Sequence, residues 1–121
     1  MKTISISTLS AMKENGEKFA AITAYDYTFS RLIENSSIEV SLVGDSLGNV
    51  IQGRDSTIPV TVDEMAYHTT AVKRGNNRSL LVTDMPFMSY STEVNALDNA
   101  AVIMQAGAQM VKLEGGEWLA D

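Results

Sequence analysis

Four short apolar runs punctuate the chain: Phe19–Ala24, Ile38–Val43, Ser79–Thr83 and Gln109–Leu113. They are near-continuous rather than alternating, the pattern of strands buried on both faces of a parallel sheet. The stretches around them read as helices. Ser7 to Asn15 predicts a short one, with Ser7 as N-cap and Gly16 as the left-handed residue past its end. After Tyr25-Asp26 a second runs to about Asn35, with Phe29, Leu32 and Ile33 on one face. Thr61-Val62-Asp63-Glu64 is a capping box that opens a third. That helix runs to Arg74, where Lys73 and Arg74 suit the negative end of the dipole and Gly75 suits the C′ position. A fourth spans about Thr92 to Ala106, with Val94, Leu97, Ala101 and Met104 as its buried stripe and Gly107 as its stop. Strand then helix, four times over, implies a parallel α/β sheet with right-handed connections. Two architectures fit: a small open sheet, or the N-terminal half of a (β/α)8 TIM barrel. A complete barrel needs about 250 residues, so this chain would supply four of the eight units.

Three of the strands end in a carboxylate. Val40–Val43 runs into Gly44-Asp45-Ser46-Leu47-Gly48; Leu80–Thr83 ends at Asp84; Met110–Leu113 ends at Glu114, before Gly115-Gly116. The C-terminal ends of parallel strands are where ligands bind in such folds. Sheet order following chain order would bring Asp45, Asp84 and Glu114 to one mouth, where like charges raise one another's pKa. A hard divalent cation relieves that, and Mg²⁺ is served by one or two carboxylates, waters and a chelating substrate. The alternative is that each acid caps the turn or helix after it. Lys112 shares a strand face with Glu114, and a lysine on a buried strand needs an anionic partner. That partner is either a substrate carboxylate or one of these acids. Residues 44–59 form a long Gly-, Asp- and Ser-rich connection, a length usually tied to function.

Ser46 opens a different reading. Gly44 to Gly48 fits G-x-S-x-G, the nucleophile elbow, and spells the Gly-Asp-Ser-Leu block of a family of esterases. A serine esterase needs a histidine base. The one histidine, His68, falls mid-helix, remote from any strand end, and reads as a surface or packing residue, so the esterase reading survives only with a base beyond Asp121. Asp26 reads best as the N-cap of the helix it precedes. The seven methionines read as core filler, and no G-x-G-x-x-G follows a strand.

Composition narrows the partners. The 121 residues carry a net charge of −6 and a pI near 4.6, without a basic cluster, which argues against nucleic acid and anionic membranes. No cysteine means no disulfide, thiolate metal site or cysteine nucleophile. The N-terminus lacks a signal-peptide core, and no run approaches the roughly 20 apolar residues of a membrane span. A cytoplasmic location is the expectation.

Six blocks, in order and spread over nearly the whole chain, resemble the ketopantoate (3-methyl-2-oxobutanoate) hydroxymethyltransferase family. They are Thr23–Asp26, Val43–Gly48, Asp55–Thr61, Tyr67-His68, Asp84–Phe87 and Val111–Gly116. The resemblance implies a (β/α)8 barrel about twice this length, with residues 1–121 as its N-terminal part. It implies hydroxymethyl transfer from 5,10-methylenetetrahydrofolate to 3-methyl-2-oxobutanoate, through a Mg²⁺-stabilised enolate, giving 2-dehydropantoate for pantothenate and coenzyme A. It further implies Asp45, Asp84 and Glu114 as metal ligands, and Asp45, Ser46, Asp84 and Lys112 as substrate-binding residues. Related enzymes are cytoplasmic homo-oligomers, commonly decamers. Their general-base glutamate would lie past Asp121, so residues 1–121 alone are expected to be inactive.

Overall fold

The computed structural model describes residues 2–121. Helix α1 (Ile6–Glu14) precedes β1 (Ala21–Thr23), α2 (Tyr27–Glu34), β2 (Val40–Val43), a single-turn α3 (Leu47–Val50), α4 (Val62–Gly75), β3 (Leu80–Asp84), α5 (Glu93–Ala106) and β4 (Met110–Lys112). A 3₁₀ turn at Glu117–Leu119 follows. The four strands form one all-parallel sheet in the order β1-β2-β3-β4. Sheet order therefore follows chain order, as the strand–helix alternation predicts.

The buried centre lies where α4 and α5 cover the sheet. Val43, Leu47, Met65, Val72, Leu81 and Ile103 are fully buried there. The layer is not wholly apolar. The Thr69 hydroxyl, on α4, donates to its own helix at the Met65 carbonyl and lies 2.8 Å from the Thr83 hydroxyl on β3. Ser41 and Ser79 pair at 2.6 Å. Each buried hydroxyl thus has a partner, which spares the cost of an unmet polar group.

Helix ends follow the sequence with two changes. The capping box of α4 is present in both directions: the Glu64 amide donates to Thr61 Oγ1 and the Thr61 amide to Glu64 Oε1, each at 3.1 Å. Asp26 Oδ1 accepts from the Phe29 amide at 2.8 Å, as an N-cap should. Gly16 has φ +71 and Gly107 φ +127, both in the region glycine tolerates. The N-cap of α1, however, is Ser5 rather than Ser7, through a reciprocal box with Thr8. Gly75 is not a C′ residue either. It is the last residue of α4, and a Cβ there would lie 2.9 Å from both the Tyr27 carbonyl and Ser30 Cβ. Its role is to let α2 and α4 touch.

Two expected apolar faces turn outward. Of Phe29, Leu32 and Ile33 only Ile33 is buried; Phe29 and Leu32 are about 60% exposed. On α5 the expected stripe Val94, Leu97, Ala101 and Met104 is exposed, and the inward face is Ala96, Asn99, Ala100 and Ile103. The small side chains of that inner stripe let α5 lie close to α4. The methionines divide similarly: Met65 and Met85 are buried, whereas Met88, Met104 and Met110 are exposed.

Candidate functional site

Local sequence delivers the polar groups to one end of the sheet. β2 stops at Val43 because Gly44 breaks the run, and α3 begins directly after Asp45-Ser46. β3 ends on Asp84 itself, with Pro86 two residues on; β4 ends on Lys112, whose register partner is Asp84. Asp45, Asp84, Lys112 and Glu114 line one cleft of about 400 Å³. Met85, Phe87, Tyr90 and Trp118 form its apolar walls. Tyr90 is fixed by its hydroxyl, which donates to the Glu114 carbonyl at 2.7 Å, and by its ring, 6.4 Å from that of Trp118.

Asp84 is the hub. Its Oδ2 accepts from the Asp45 amide at 3.0 Å. Its Oδ1 is buried and faces the Lys112 ammonium at 3.0 Å in an ion pair. Lys112 also pairs with Glu114 Oε1. Burial pushes the Asp45 carboxyl above the usual range, reinforced by Asp84 and then Glu114; Lys112 and the Thr57 side chain act against this. Burial works to lower Lys112, but pairing with Glu114 and Asp84 outweighs it and holds the ammonium above its ordinary value. Lys112 in turn draws the Glu114 carboxyl down. The site is a fixed ammonium among three acids, with Asp45 the least compensated.

This donor set fits a hard divalent ion in part. Among the described residues no group of three or more Asp, Glu or His side chains is gathered as a metal cage. Lys112 stands between Asp84 and Glu114, so the expected trio is split. Asp45 and Asp84 remain neighbours in the cleft. Two carboxylates are what Mg²⁺ commonly takes from protein, with water and substrate completing its shell.

Ser46 is placed differently from the acids. Its Oγ lies 2.6 Å from the Tyr25 hydroxyl, toward β1. His68 is not paired with Ser46. Its Nδ1 lies 2.7 Å from the Tyr25 carbonyl, so it carries the hydrogen and donates. The expectation that His68 is remote from any strand end is thereby corrected: α4 passes close enough for the ring to reach the end of β1. The serine-esterase reading also fails here. Among the described residues no histidine pairs with Ser46, and at φ −55, ψ −14 it lacks the strained backbone of a nucleophile elbow. Gly48 has a packing reason instead, since a Cβ there would lie 2.6 Å from Val60 Cγ2. Sequence reasoning assigned no role to Thr57 or to the Tyr90–Trp118 wall; the signals for Thr57 were its place in the long 44–59 connection and in the Asp55–Thr61 block.

Parallel strands covered by helices, with acids and a lysine at the strands' C-terminal ends, are the arrangement of part of a (β/α)8 barrel. The family model for ketopantoate hydroxymethyltransferase matches residues 3–121, and the chain belongs to that family. A 3-methyl-2-oxobutanoate hydroxymethyltransferase of Cronobacter sakazakii is 59% identical over 121 residues, covering 100% of this chain and 46% of that protein. One from a Marinomonas species is 58% identical over 99% of this chain and 44% of its own length. The chain thus spans a little under half the length of these relatives. Among solved structures, a phosphonopyruvate hydrolase complexed with oxalate and Mg²⁺ superposes with a TM-score of 0.74 at 16% identity, over 93% of this chain and 39% of that one. A 2,3-dimethylmalate lyase of the PEP mutase/isocitrate lyase superfamily gives 0.65 at 12% identity, over 88% and 38%. At such identities these two likenesses speak to the fold alone.

Proposed function

We propose that this chain provides the substrate-holding part of an enzyme that moves a hydroxymethyl group from 5,10-methylenetetrahydrofolate to 3-methyl-2-oxobutanoate, giving 2-dehydropantoate. The observation that carries the reading is the Lys112 ammonium, held between Asp84 and Glu114 in the cleft beside Asp45. A 2-oxo acid is an anion with two oxygens placed for chelation. Lys112 faces its carboxylate with a charge-assisted hydrogen bond. Asp45 and Asp84 would hold Mg²⁺, with Glu114 nearby rather than in direct contact. Bound there, the ion would act as a Lewis acid that draws charge from the keto oxygen as the C3 proton leaves. The apolar walls accept the branched alkyl end of the acid. Ser46 contributes a neutral hydroxyl from the β1 side. We place the general base outside residues 1–121. The enzyme fits a cytoplasmic homo-oligomer, as the family resemblance implies.

The test joins this chain to the remainder of the Cronobacter sakazakii relative. The joined enzyme, given the oxo acid and the folate, should form 2-dehydropantoate, seen by NMR of the new hydroxymethyl protons. EDTA should stop the reaction and Mg²⁺ restore it. A folded joined enzyme that forms no product, or one indifferent to EDTA, would overturn the proposal.

A further inference from the structure

We infer that Tyr25 is a positioning residue for the oxo-acid site: it orients the Ser46 hydroxyl, and His68 holds Tyr25 in place. The inference rests on the reading of the cleft given above. It starts from two contacts which that reading leaves unused. The Tyr25 hydroxyl and Ser46 Oγ are 2.6 Å apart, and the Tyr25 carbonyl accepts from His68 Nδ1 at 2.7 Å. Both contacts span long stretches of chain, so they tie β1 and α4 to the turn after β2.

Two hydroxyls at this distance share one hydrogen between them. A phenol is the stronger acid of the pair, so Tyr25 donates and Ser46 accepts. The Ser46 hydrogen is then free to point elsewhere, as a donor. The missing side chain of Gly44 keeps the way from Ser46 toward Asp84 clear, since a Cβ there would crowd the Ser46 oxygen. A Cβ built on Gly44 would lie 3.0 Å from Ser46 Oγ and 3.5 Å from Asp84 Oδ2, so the two groups converge across the missing side chain. An anion beside Asp84 and Lys112 can use only donors, and a Ser46 hydroxyl locked as acceptor toward Tyr25 is available as one. The Tyr25 ring packs on the hydrophobic core, and His68 fixes its backbone, so the arrangement is set before substrate arrives. That saves ordering a free hydroxyl rotor at binding.

The variants are Tyr25→Phe, Ser46→Ala, their double, His68→Leu and His68→Asn, made in the joined enzyme described above. Tyr25→Phe keeps the ring in the core and loses only the hydroxyl. It should raise KM for 3-methyl-2-oxobutanoate roughly five- to tenfold, with a much smaller change in kcat and in KM for the folate. The double variant should be no worse than Ser46→Ala, because the two act as one unit. His68→Leu should mimic Tyr25→Phe, and His68→Asn, which keeps a donor near the Nδ1 position, should recover most of the loss. Equal rises in both KM values, additive effects in the double variant, or no effect of Tyr25→Phe would each overturn the inference. Calorimetric titration of the joined enzyme with 3-methyl-2-oxobutanoate in Mg²⁺ separates it from the proposed reaction. If product formation fails but the acid binds, a five- to tenfold weaker binding in Tyr25→Phe sustains the inference. Unchanged binding in that variant, or no binding at all by the parent, overturns it.

Discussion

At the scale of single residues, Lys112 and Asp84 are each asked to satisfy more than one neighbour, and their substitutions should therefore separate binding roles. Lys112→Met removes the one cation among three acids. The bond to the substrate carboxylate is charge-assisted, and losses of this kind run about 1.5–3 kcal/mol. The Lys112 side chain is 40% exposed, so the lower end applies. KM for the oxo acid in the joined enzyme should rise roughly tenfold, and KM for the folate much less. Equal movement of the two would make Lys112 a structural ion-pair residue. Asp84→Asn keeps an oxygen to accept from the Asp45 amide, so the turn should survive. It removes one of the two charges offered to Mg²⁺, so calorimetric Mg²⁺ affinity and turnover should both collapse while the circular dichroism spectrum stays that of the parent. Near-parental turnover at low Mg²⁺ would count against a metal held by Asp84. The positions of Asp45, Asp84, Lys112 and Glu114 were legible in the chain because a strand that stops at an acid points it at the sheet's end. An ion pair of Lys112 with one of these acids was one of the two readings the chain left open; that it stands between two of them, and the Tyr25–Ser46 contact, were not legible. Both depend on side chains from different strands meeting in space, which spacing along one strand does not encode.

At the scale of elements, the caps of α2, α4 and α5 read well at their N-termini while apolar faces read poorly, for a physical reason. A capping box is closed within four residues, so Thr61 and Glu64 announce it locally. The apolar stripe of a helix shows that something covers it, not which neighbour does. On α5, Val94, Leu97 and Met104 form a true apolar stripe, but the sheet takes the narrower face of Ala96, Ala100 and Ile103. The start of α4 gives a pH-dependent test. Burial acts to raise the Glu64 carboxyl, but hydrogen bonds from the Thr61 amide and hydroxyl and from Gln52, with Arg54 alongside, bring it below its ordinary value. A group depressed in the folded state adds stability above its unfolded value, about 4.3 for a glutamate, and that stability is lost as pH falls through the folded value. The melting temperature should therefore exceed that of Glu64→Gln at pH 7, and the gap should narrow as pH falls below about 4. Thr61→Ala should cost about 1 kcal/mol at pH 7, read by urea unfolding of the joined enzyme. A gap between parent and Glu64→Gln that stays constant from pH 7 to pH 3 would show that the Glu64 charge contributes nothing to the cap.

At the scale of the whole molecule, the exposed apolar groups form a pattern that a closed barrel would explain. Among the described residues β1 pairs only with β2, and β4 only with β3, so each keeps one edge without a strand partner. β1 is exposed along its whole length, and Phe19 and Ile22 beside that edge are exposed as well. At the other edge stand Met110, Leu113 and Trp118, with the outward stripe of α5 behind them. Exposed apolar surface of this extent, gathered at two open edges, marks a surface that expects a cover. Relatives more than twice as long have the chain length to supply one. The polypeptide of residues 1–121 on its own should accordingly form no 2-dehydropantoate and should not behave as a well-packed monomer. Broad urea unfolding, dye binding at apolar surface, and association in light scattering are the expected signs. Mixing it with the separately made remainder of the Cronobacter sakazakii relative should sharpen the unfolding transition and bring back turnover, because the added strands would pair both edges at once. A monodisperse monomer with a sharp, cooperative transition, unchanged by the added half, would show that four parallel strands with these exposed edges are sufficient by themselves.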